Sequence, residues 1–318
     1  MKAIVCERYG PPEVLKIAEV PKPVPKENEI LVKVRATTVA VADSRIRAFR
    51  VPPAFWLPGR LSLGITKPRK PILGVELSGE VESTGRNVKR FRQGDEVFAA
   101  TLFNFGGYAE YICLPENSAV AMKPRNTSFE EAAAIPIGAR TAFYYLKAAN
   151  VDKGKKILIY GASGSVGTYM IQLAKHYGAE VTAVCSAANV QLVQSLGASK
   201  VLDYTSPDFV SRLEKYDVVI DAVDKLEFSV GINAVKDGGV YANITSPVKS
   251  IAMMLSKKKV LVGVDIPETS EGINQLKDLV ESGVLKPVMD KIYPFEQIVE
   301  AHRYVDTGRK KGNVAITV

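Results

Sequence analysis

Lys156-Ile157-Leu158-Ile159-Tyr160 runs directly into Gly161-Ala162-Ser163-Gly164-Ser165-Val166-Gly167, and a helix-like stretch, Thr168–Tyr177, follows. Strand, glycine turn and helix in that order are what a dinucleotide-binding βαβ unit requires. In the strict G-x-G-x-x-G frame the first position is Ala162, so the match is A-x-G-x-x-G. Gly164 lets the backbone approach a pyrophosphate, and Gly167 lets the helix pack closely on the strand. The helix opened by Ser165 then points its free N–H groups and the positive end of its dipole at the phosphates. A glycine turn without a ligand is the competing reading, and the flanking strand and helix weigh against it.

Which dinucleotide is bound depends on the end of the second strand, Glu180–Cys185. NAD sites place Asp or Glu there to hold the ribose hydroxyls, whereas this strand ends Val184-Cys185-Ser186-Ala187-Ala188. Without an acid, nothing repels a 2′-phosphate. Ser186 can donate a hydrogen bond to it and Lys311 can add charge, so NADPH is favoured over NADH.

Working outward, further strand candidates at Val201–Leu202, Val218–Asp221, Gly239–Ile244 and Val260–Val264 alternate with helical stretches such as Ala188–Leu196, which predicts a parallel sheet. Upstream, Ile30–Ala36, Leu77–Ser83 and Glu96–Ala99 read as short strands between glycine turns. Ser128–Glu131 fits a capping box. The expected fold is α/β: a Rossmann-type, doubly wound parallel sheet over residues 123–265, beside a β-rich domain over 1–122 completed by 266–318. Prolines 52, 53, 58, 68 and 71 predict a loop rather than a regular element, and residues 51–68 are expected to act as a lid.

Composition narrows the function classes. The chain has 318 residues, 47% hydrophobic and 24% charged, which is the ordinary globular mix. A net charge of +8 comes from scattered cations with short clusters at Lys67–Lys70, Lys257–Lys259 and Arg309–Lys311. No stretch interleaves cations with aromatics as a single-strand groove does, so no nucleic-acid partner is expected. A cofactor phosphate, or weak peripheral contact between the basic, proline-rich loop and an anionic membrane, suits the charge better. Cys6, Cys113 and Cys185 form no C-x-x-C pair, and no apolar run reaches a membrane-spanning length. A reducing cytoplasm is the expected compartment.

Several stretches together resemble the medium-chain dehydrogenase/reductase superfamily over essentially the whole chain. They are Pro71-Ile-Leu-Gly74-Val-Glu76-Leu-Ser-Gly79-Glu-Val81, Gly94-Asp95-Glu-Val97, Gly107-Tyr-Ala-Glu110-Tyr111, Ala132-Ala-Ala-Ile-Pro136 with Thr141-Ala142, and Ser195-Leu-Gly197-Ala198. The resemblance implies a GroES-like catalytic domain for the β-rich part. Within the superfamily the sequence is similar to the zinc-free quinone oxidoreductase branch. The positions that would carry zinc ligands hold Ala40 and Val75, neither of which can ligate zinc. His176 and His302 fall elsewhere, as helix surface or packing residues.

The resemblance implies NADPH-dependent reduction of a quinone or similar conjugated carbonyl in a cleft between domains. It matches Thr141 to a nicotinamide contact, Asn243-Ile244-Thr245 to the loop facing the carboxamide, Tyr204 to the adenine ribose or its phosphate, and Gly312-Asn313 to a pair closing over the cofactor. Relatives often read A-S-x-V-N-P-x-D where this chain has Ala36-Thr-Thr-Val-Ala40-Val41-Ala42-Asp43, so Ala40 replaces an asparagine of the substrate pocket. Asp43 is read either as catalytic or as the ion-pair partner of Arg45 or Arg47. Two aromatic groups, Phe49, Phe55 and Trp56, then Phe103, Phe105 and Tyr108, can stack a flat substrate, and Tyr108 is the candidate proton donor. Enoyl-thioester or alkenal reduction on the same scaffold is the alternative, followed by a low-turnover regulatory protein. A homodimer through the edge strand Val260–Val264 is also expected.

Overall fold

The computed structural model describes residues 1–51, 56–245, 251–267 and 269–318, without the side chains of Phe103 and Ile251. Two expected pocket residues, Phe55 and the Phe103 side chain, therefore lie outside the described residues.

In chain order come β1 (Lys2–Cys6), β2 (Leu15–Glu19), β3 (Glu29–Thr38), α1 (Val41–Arg47), α2 (Trp56–Leu63), β4 (Glu76–Thr84), β5 (Glu96–Ala100), β6 (Tyr111–Pro115), β7 (Val120–Met122) and α3 (Phe129–Ala133). There follow α4 (Gly138–Ala148), β8 (Lys156–Tyr160), α5 (Ser165–His176), β9 (Glu180–Cys185), α6 (Val190–Ser195), β10 (Lys200–Asp203), β11 (Tyr216–Asp221), α7 (Phe228–Ala234), β12 (Val235–Asn243), α8 (Ile251–Met254) and β13 (Lys259–Val262). The chain closes with α9 (Ser270–Glu281), β14 (Met289–Pro294), α10 (Ile298–Asp306) and β15 (Asn313–Thr317). It divides into two compact units: Met1–Ile137 with Glu268–Glu281 and Met289–Val318, and Gly138–Pro267 with Ser282–Val288.

The first unit is β-rich because its apolar residues recur at a period of two. Ile30, Val32 and Val34 of β3 are buried against Leu77 and Val81 of β4, Val97 of β5 and Val120 of β7. The sheet order is β14-β15-β3-β4-β5-β7, with β6 also paired to β3. The C-terminal stretch returns to this sheet: Ala315 of β15 pairs with Thr38 of β3, and β14 lies parallel on its other side. The capping box at α3 forms as the sequence predicts, with the Glu131 amide on Ser128 Oγ at 3.2 Å and the Ser128 amide on the Glu131 carboxylate at 3.0 Å.

One expectation is corrected here. The proline-rich stretch contains the helix α2. Pro58 is its third residue, where a missing N–H costs no intrahelical hydrogen bond; Pro68 and Pro71 come after its end. The helix is pinned locally, with the Arg60 guanidinium 3.9 Å from the Phe49 ring centroid and 4.6 Å from that of Tyr9. Leu63 packs against the apolar core beneath.

The second unit holds a six-stranded sheet, β10-β9-β8-β11-β12-β13, with every neighbouring pair parallel. Ile157, Leu158 and Ile159 of β8 are fully buried at its centre. A central strand covered on both faces reads as a continuous apolar run rather than an alternation. The strand order reverses between β8 and β11, and open α/β sheets bind ligands beyond the carboxyl ends of the strands at such a point. β10 and β13 are its edge strands.

Candidate functional site

Beyond the end of β8 the chain makes the expected glycine turn. The amides of Gly161 and Ala162 both reach the Val184 carbonyl of β9 at 3.1 Å, which fixes where the turn begins. Gly161 has φ +81°, a conformation glycine adopts without a Cβ penalty. Gly167 is required for a different reason: a Cβ there would stand 2.4 Å from the Gly161 carbonyl oxygen and 2.7 Å from the Ala162 Cα. Helix and turn are therefore in backbone contact, as the motif demands. At Gly164 the only neighbour a Cβ would meet is Gly161 O at 3.4 Å, so this face stays open. Gly164 is the N-cap of the twelve-residue α5 and no side chain caps the helix. Its leading amides are left for an anion, and a pyrophosphate fits the cradle.

The neighbouring loops shape the same end of the sheet. Asp221, at the end of β11, accepts hydrogen bonds from the amides of Val223, Asp224 and Leu226 at 2.8–2.9 Å. Burial holds its carboxyl above the usual range, against the pull of those three donors. The loop so fixed lays Val223 over Gly161, where a Cβ would be 2.7 Å from Val223 Cγ1. It also brings Asp224 to Asn243, whose Nδ2 donates to Asp224 Oδ1 at 2.7 Å. The Thr245 amide reaches Asn243 Oδ1 at 3.1 Å, and the Asn243 carbonyl accepts from the Tyr145 hydroxyl at 3.3 Å. The Asn243 side chain thus holds the expected nicotinamide loop, Asn243–Thr245, in shape. Thr141 is half-buried on α4, whose first residue abuts the start of α5: a Cβ on Gly138 would be 2.5 Å from Ser165 Oγ.

At the end of β9 the structure adds two residues that the sequence reading missed. Asn189 Nδ2 donates to Ser163 Oγ at 3.0 Å and to Ser186 Oγ at 3.4 Å. It ties the glycine turn to the expected 2′-phosphate site, and both hydroxyl hydrogens are left free to donate outward. The second is Asp203. β9 itself ends without an acid, as read, but β10 pairs Asp203 with Cys185. The Asp203 carboxylate accepts the Thr205 amide and hydroxyl at 2.9 and 2.8 Å, and the Ala187 amide as well. These bonds hold it below the usual carboxylate range and occupy its oxygens locally. Tyr204, 48% exposed, lies with its ring 6.0 Å from that of Tyr160. Only the period-two pairing of β9 with β10 could have signalled Asp203, and nothing local signals Asn189.

Lys311 and Asn313 belong to the first unit. Lys311 is exposed, with its amide on Asp290 at 2.8 Å, and Asn313 is buried at the start of β15.

The first unit places Asp43, Tyr108 and His302 in one fully buried chain of bonds. Asp43 accepts the amides of Ala40 at 3.0 Å and Gly74 at 3.1 Å. Neither Arg45 nor Arg47 is its partner, so the ion-pair reading is corrected. A backbone N–H 31 positions further along the chain closes on this carboxylate, which no local pattern reveals. Burial pushes Asp43 up to about 7. Tyr108 Oη is 3.1 Å from His302 Nε2, and His302 Nδ1 is 3.0 Å from Arg47 Nη1. A guanidinium can only donate, so Nδ1 accepts, Nε2 carries the proton and donates to Tyr108, and the Tyr108 hydroxyl is left for Asp43. Burial and the neighbouring Arg47 push His302 down to about 3, keeping it neutral. Arg47 ends the chain with a 2.5 Å contact to Asp306. Tyr108 is 0% exposed, which removes it from direct contact with a substrate and corrects its reading as proton donor.

The described aromatic residues do not form one stacking surface. Phe49 is buried and meets Trp56 edge-on at 6.4 Å between centroids, whereas Phe105 belongs to the core cluster around Tyr108 and Leu73. Ala40 is half-buried beside that cluster and Val75 is within it. Neither carries a metal donor, and among the described residues no three His, Cys, Asp or Glu side chains gather as a metal site.

Comparison with known proteins agrees with this architecture. Residues 26–124 match the family model for the alcohol dehydrogenase GroES-like domain, and residues 196–316 the model named zinc-binding dehydrogenase. The chain is 34% identical to 2-methylene-furan-3-one reductase of Solanum lycopersicum, over 99% of this chain and 79% of that protein. It is 33% identical to the chloroplastic NADPH-dependent alkenal/one oxidoreductase of Arabidopsis thaliana, over the same shares. Quinone oxidoreductase of Escherichia coli, solved in complex with NADPH, superposes with a TM-score of 0.86 at 26% identity over 100% of both chains. The chain therefore belongs to the medium-chain dehydrogenase/reductase superfamily, in its quinone oxidoreductase-like branch.

Proposed function

We propose that this protein is an NADPH-dependent oxidoreductase that reduces a quinone or a similarly conjugated carbonyl without a metal ion. The observation that carries the reading is the open, uncapped start of α5, with Gly167 in backbone contact with the turn just beyond β8. When bound, the reduced nicotinamide supplies a hydride equivalent to the acceptor. The chain's residues bind and orient. Ala162–Gly167 hold the pyrophosphate, and Ser163 and Ser186, fixed by Asn189, donate to the 2′-phosphate. Tyr204 lies against the adenine ribose, Thr141 and the Asn243–Thr245 loop bound the nicotinamide end, and Lys311 and Asn313 come from the C-terminal stretch. With Tyr108 and Asp43 buried, the proton that completes the reduction comes from solvent. A quinone tolerates this because its reduced oxyanions are stabilised by the ring.

Reduction of an alkenal or enoyl double bond is the second reading, favoured by the names of the Solanum and Arabidopsis relatives. The same proposal includes a cytoplasmic location, supported by three free cysteines, a homodimer through β13, and peripheral contact with an anionic membrane. No helix among the described residues is long and apolar enough to cross a bilayer.

The test is an NADPH and NADH oxidation screen against quinones, enals and enoyl thioesters. Oxidation of NADPH with quinones or enals in preference to NADH is expected, and no turnover with any acceptor would end the reading. Ser186→Asp is expected to move the preference toward NADH by about tenfold, the equivalent of about 1.4 kcal/mol; an unchanged ratio would displace the 2′-phosphate from this turn.

A further inference from the structure

From Ser44 to Val75 the chain contains no Asp or Glu and seven cations: Arg45, Arg47, Arg50, Arg60, Lys67, Arg69 and Lys70. Arg47 is buried on Asp306, but Arg50, Lys67, Arg69 and Lys70 are exposed. In the middle of this run sits α2, a helix with no fully buried residue. It is amphipathic in the unusual sense. Leu63, the Arg60 guanidinium and Gly59 face the molecule, while Trp56 (52% exposed), Leu57 (61%) and Leu61 (56%) face outward, with Ile65 (66%) just beyond. Leu57 and Leu61 are one helical turn apart and so share a face.

An outward apolar face of this kind is costly to leave in water and marks an interaction surface. The loop carrying it is braced: the Tyr9 hydroxyl donates to Gly64 O at 2.9 Å, Arg60 Nη1 to Ile65 O at 2.6 Å, and the Arg69 amide to Leu63 O at 2.7 Å. Acidic groups near the run are few. Glu7 lies close enough to Lys16 and Lys67 for both to lower its carboxyl, and Asp306 takes one contact from Arg50 at 3.4 Å. The remaining charge is positive and flanks the apolar residues in sequence, with Lys70 Nζ also donating to Asn104 Oδ1 at 3.0 Å.

We propose that this face is a docking surface for an anionic lipid bilayer, with Trp56, Leu57, Leu61 and Ile65 entering the headgroup boundary and Arg50, Lys67, Arg69 and Lys70 meeting lipid phosphates. Charge complementarity selects this occupant, since exposed apolar residues with an indole, set in an acid-free run of cations, match the interfacial layer of such a membrane. The inference rests on the proposed function in one respect: a lipid-dissolved quinone or alkenal would be met at this surface.

Trp56 is the only tryptophan in the chain, so the unmodified full-length protein reports on its own docking. Its emission is expected to shift to the blue when vesicles containing about one third phosphatidylserine are added, and to be quenched by brominated acyl chains. Phosphatidylcholine vesicles should produce neither change. Raising salt from about 0.1 M to about 0.5 M should reverse the shift as the charges are screened. In co-sedimentation, L57E/L61E and K67E/R69E/K70E should each lose at least about tenfold in the bound fraction, with circular dichroism confirming their fold. Unshifted Trp56 emission at saturating anionic lipid overturns the proposal even if every variant is unfolded. So does a shift equal on phosphatidylcholine, or a dimer that L57E/L61E dissociates, which would assign the face to a second copy. NADPH oxidation with a water-soluble quinone, assayed without vesicles, tests the activity separately.

Discussion

The two units treat polar groups in opposite ways. In the first, Asp43, Tyr108, His302 and Arg47 are sealed from water and bonded to one another end to end. In the second, the turn beyond β8 is made of small residues, and the uncapped start of α5 and the hydroxyl hydrogens of Ser163 and Ser186 are left open. The first arrangement fixes a structure; the second leaves room for a ligand. The comparison shows that a cluster of titratable residues is a poorer guide to this site than a missing set of side chains. Tyr108 and Asp43 attract attention because they can carry protons, yet burial takes them out of reach.

The contrast can be broken most severely at Arg47. Arg47→Met removes the 3.0 Å donor of His302 Nδ1 and leaves Asp306 with only the exposed Arg50 at 3.4 Å, and breaking a buried pair costs about 3–5 kcal/mol. Urea unfolding should show that loss, while affinity for NADPH in the surviving folded fraction stays the same. In the second unit the corresponding lesion is Gly167→Ala. The added Cβ meets Gly161 O at 2.4 Å, and the forced shift is expected to cost about 1–3 kcal/mol. Here the loss should appear in NADPH affinity by calorimetry; unimpaired binding would deny the turn its role.

A subtler way to sharpen the contrast uses pH. His302 is pushed down to about 3 by burial, against about 6.5 for a free imidazole. Its stabilising effect is present above about pH 6.5 and is lost as pH falls toward 3. Asp43, raised by burial to about 7, acts the other way: its contribution is full below about pH 4 and is lost as pH rises through 7. Over pH 4–7 the two oppose each other. His302→Gln keeps an acceptor for Arg47 and a donor for Tyr108 but cannot titrate. Its unfolding free energy should therefore decline steadily from pH 4 to pH 7, more steeply than that of the native protein. Equal slopes would mean that His302 is not held neutral. The smallest effect is expected for Asn189→Ala, which frees Ser163 and Ser186 to rotate. A loss of about 1 kcal/mol corresponds to about fivefold weaker NADPH binding, with NADH binding unaltered.

Much of the second unit was legible because its signals are local. The run Ile157–Ile159, Gly164 and Gly167, and the strands around Val218–Asp221 each declare themselves within a few residues. Its register is not local. Asp203 reaches the Ser186 turn only because β10 pairs with β9, and that pairing joins residues separated by a whole helix. In the first unit the alternation of β3 was plain, but the partner of Asp43 was hidden in a backbone amide at Gly74. The helix α2 was misread for a simpler reason. Proline was counted as a breaker without regard to position, and Pro58 stands in the first turn, where it is tolerated.

The pairing of β15 with β3 has a consequence for biosynthesis. Ala315 is the neighbour of Thr38, so on this edge Ala36, Thr37 and Thr38 stay unpaired until β15 has been made, roughly 14–55 s later at ordinary elongation rates. The sheet of the second unit, by contrast, can be assembled from strands that leave the ribosome consecutively. The rest of β3 is covered much sooner by β4 and β6, so only the backbone of Ala36, Thr37 and Thr38 waits, a short template for wrong partners.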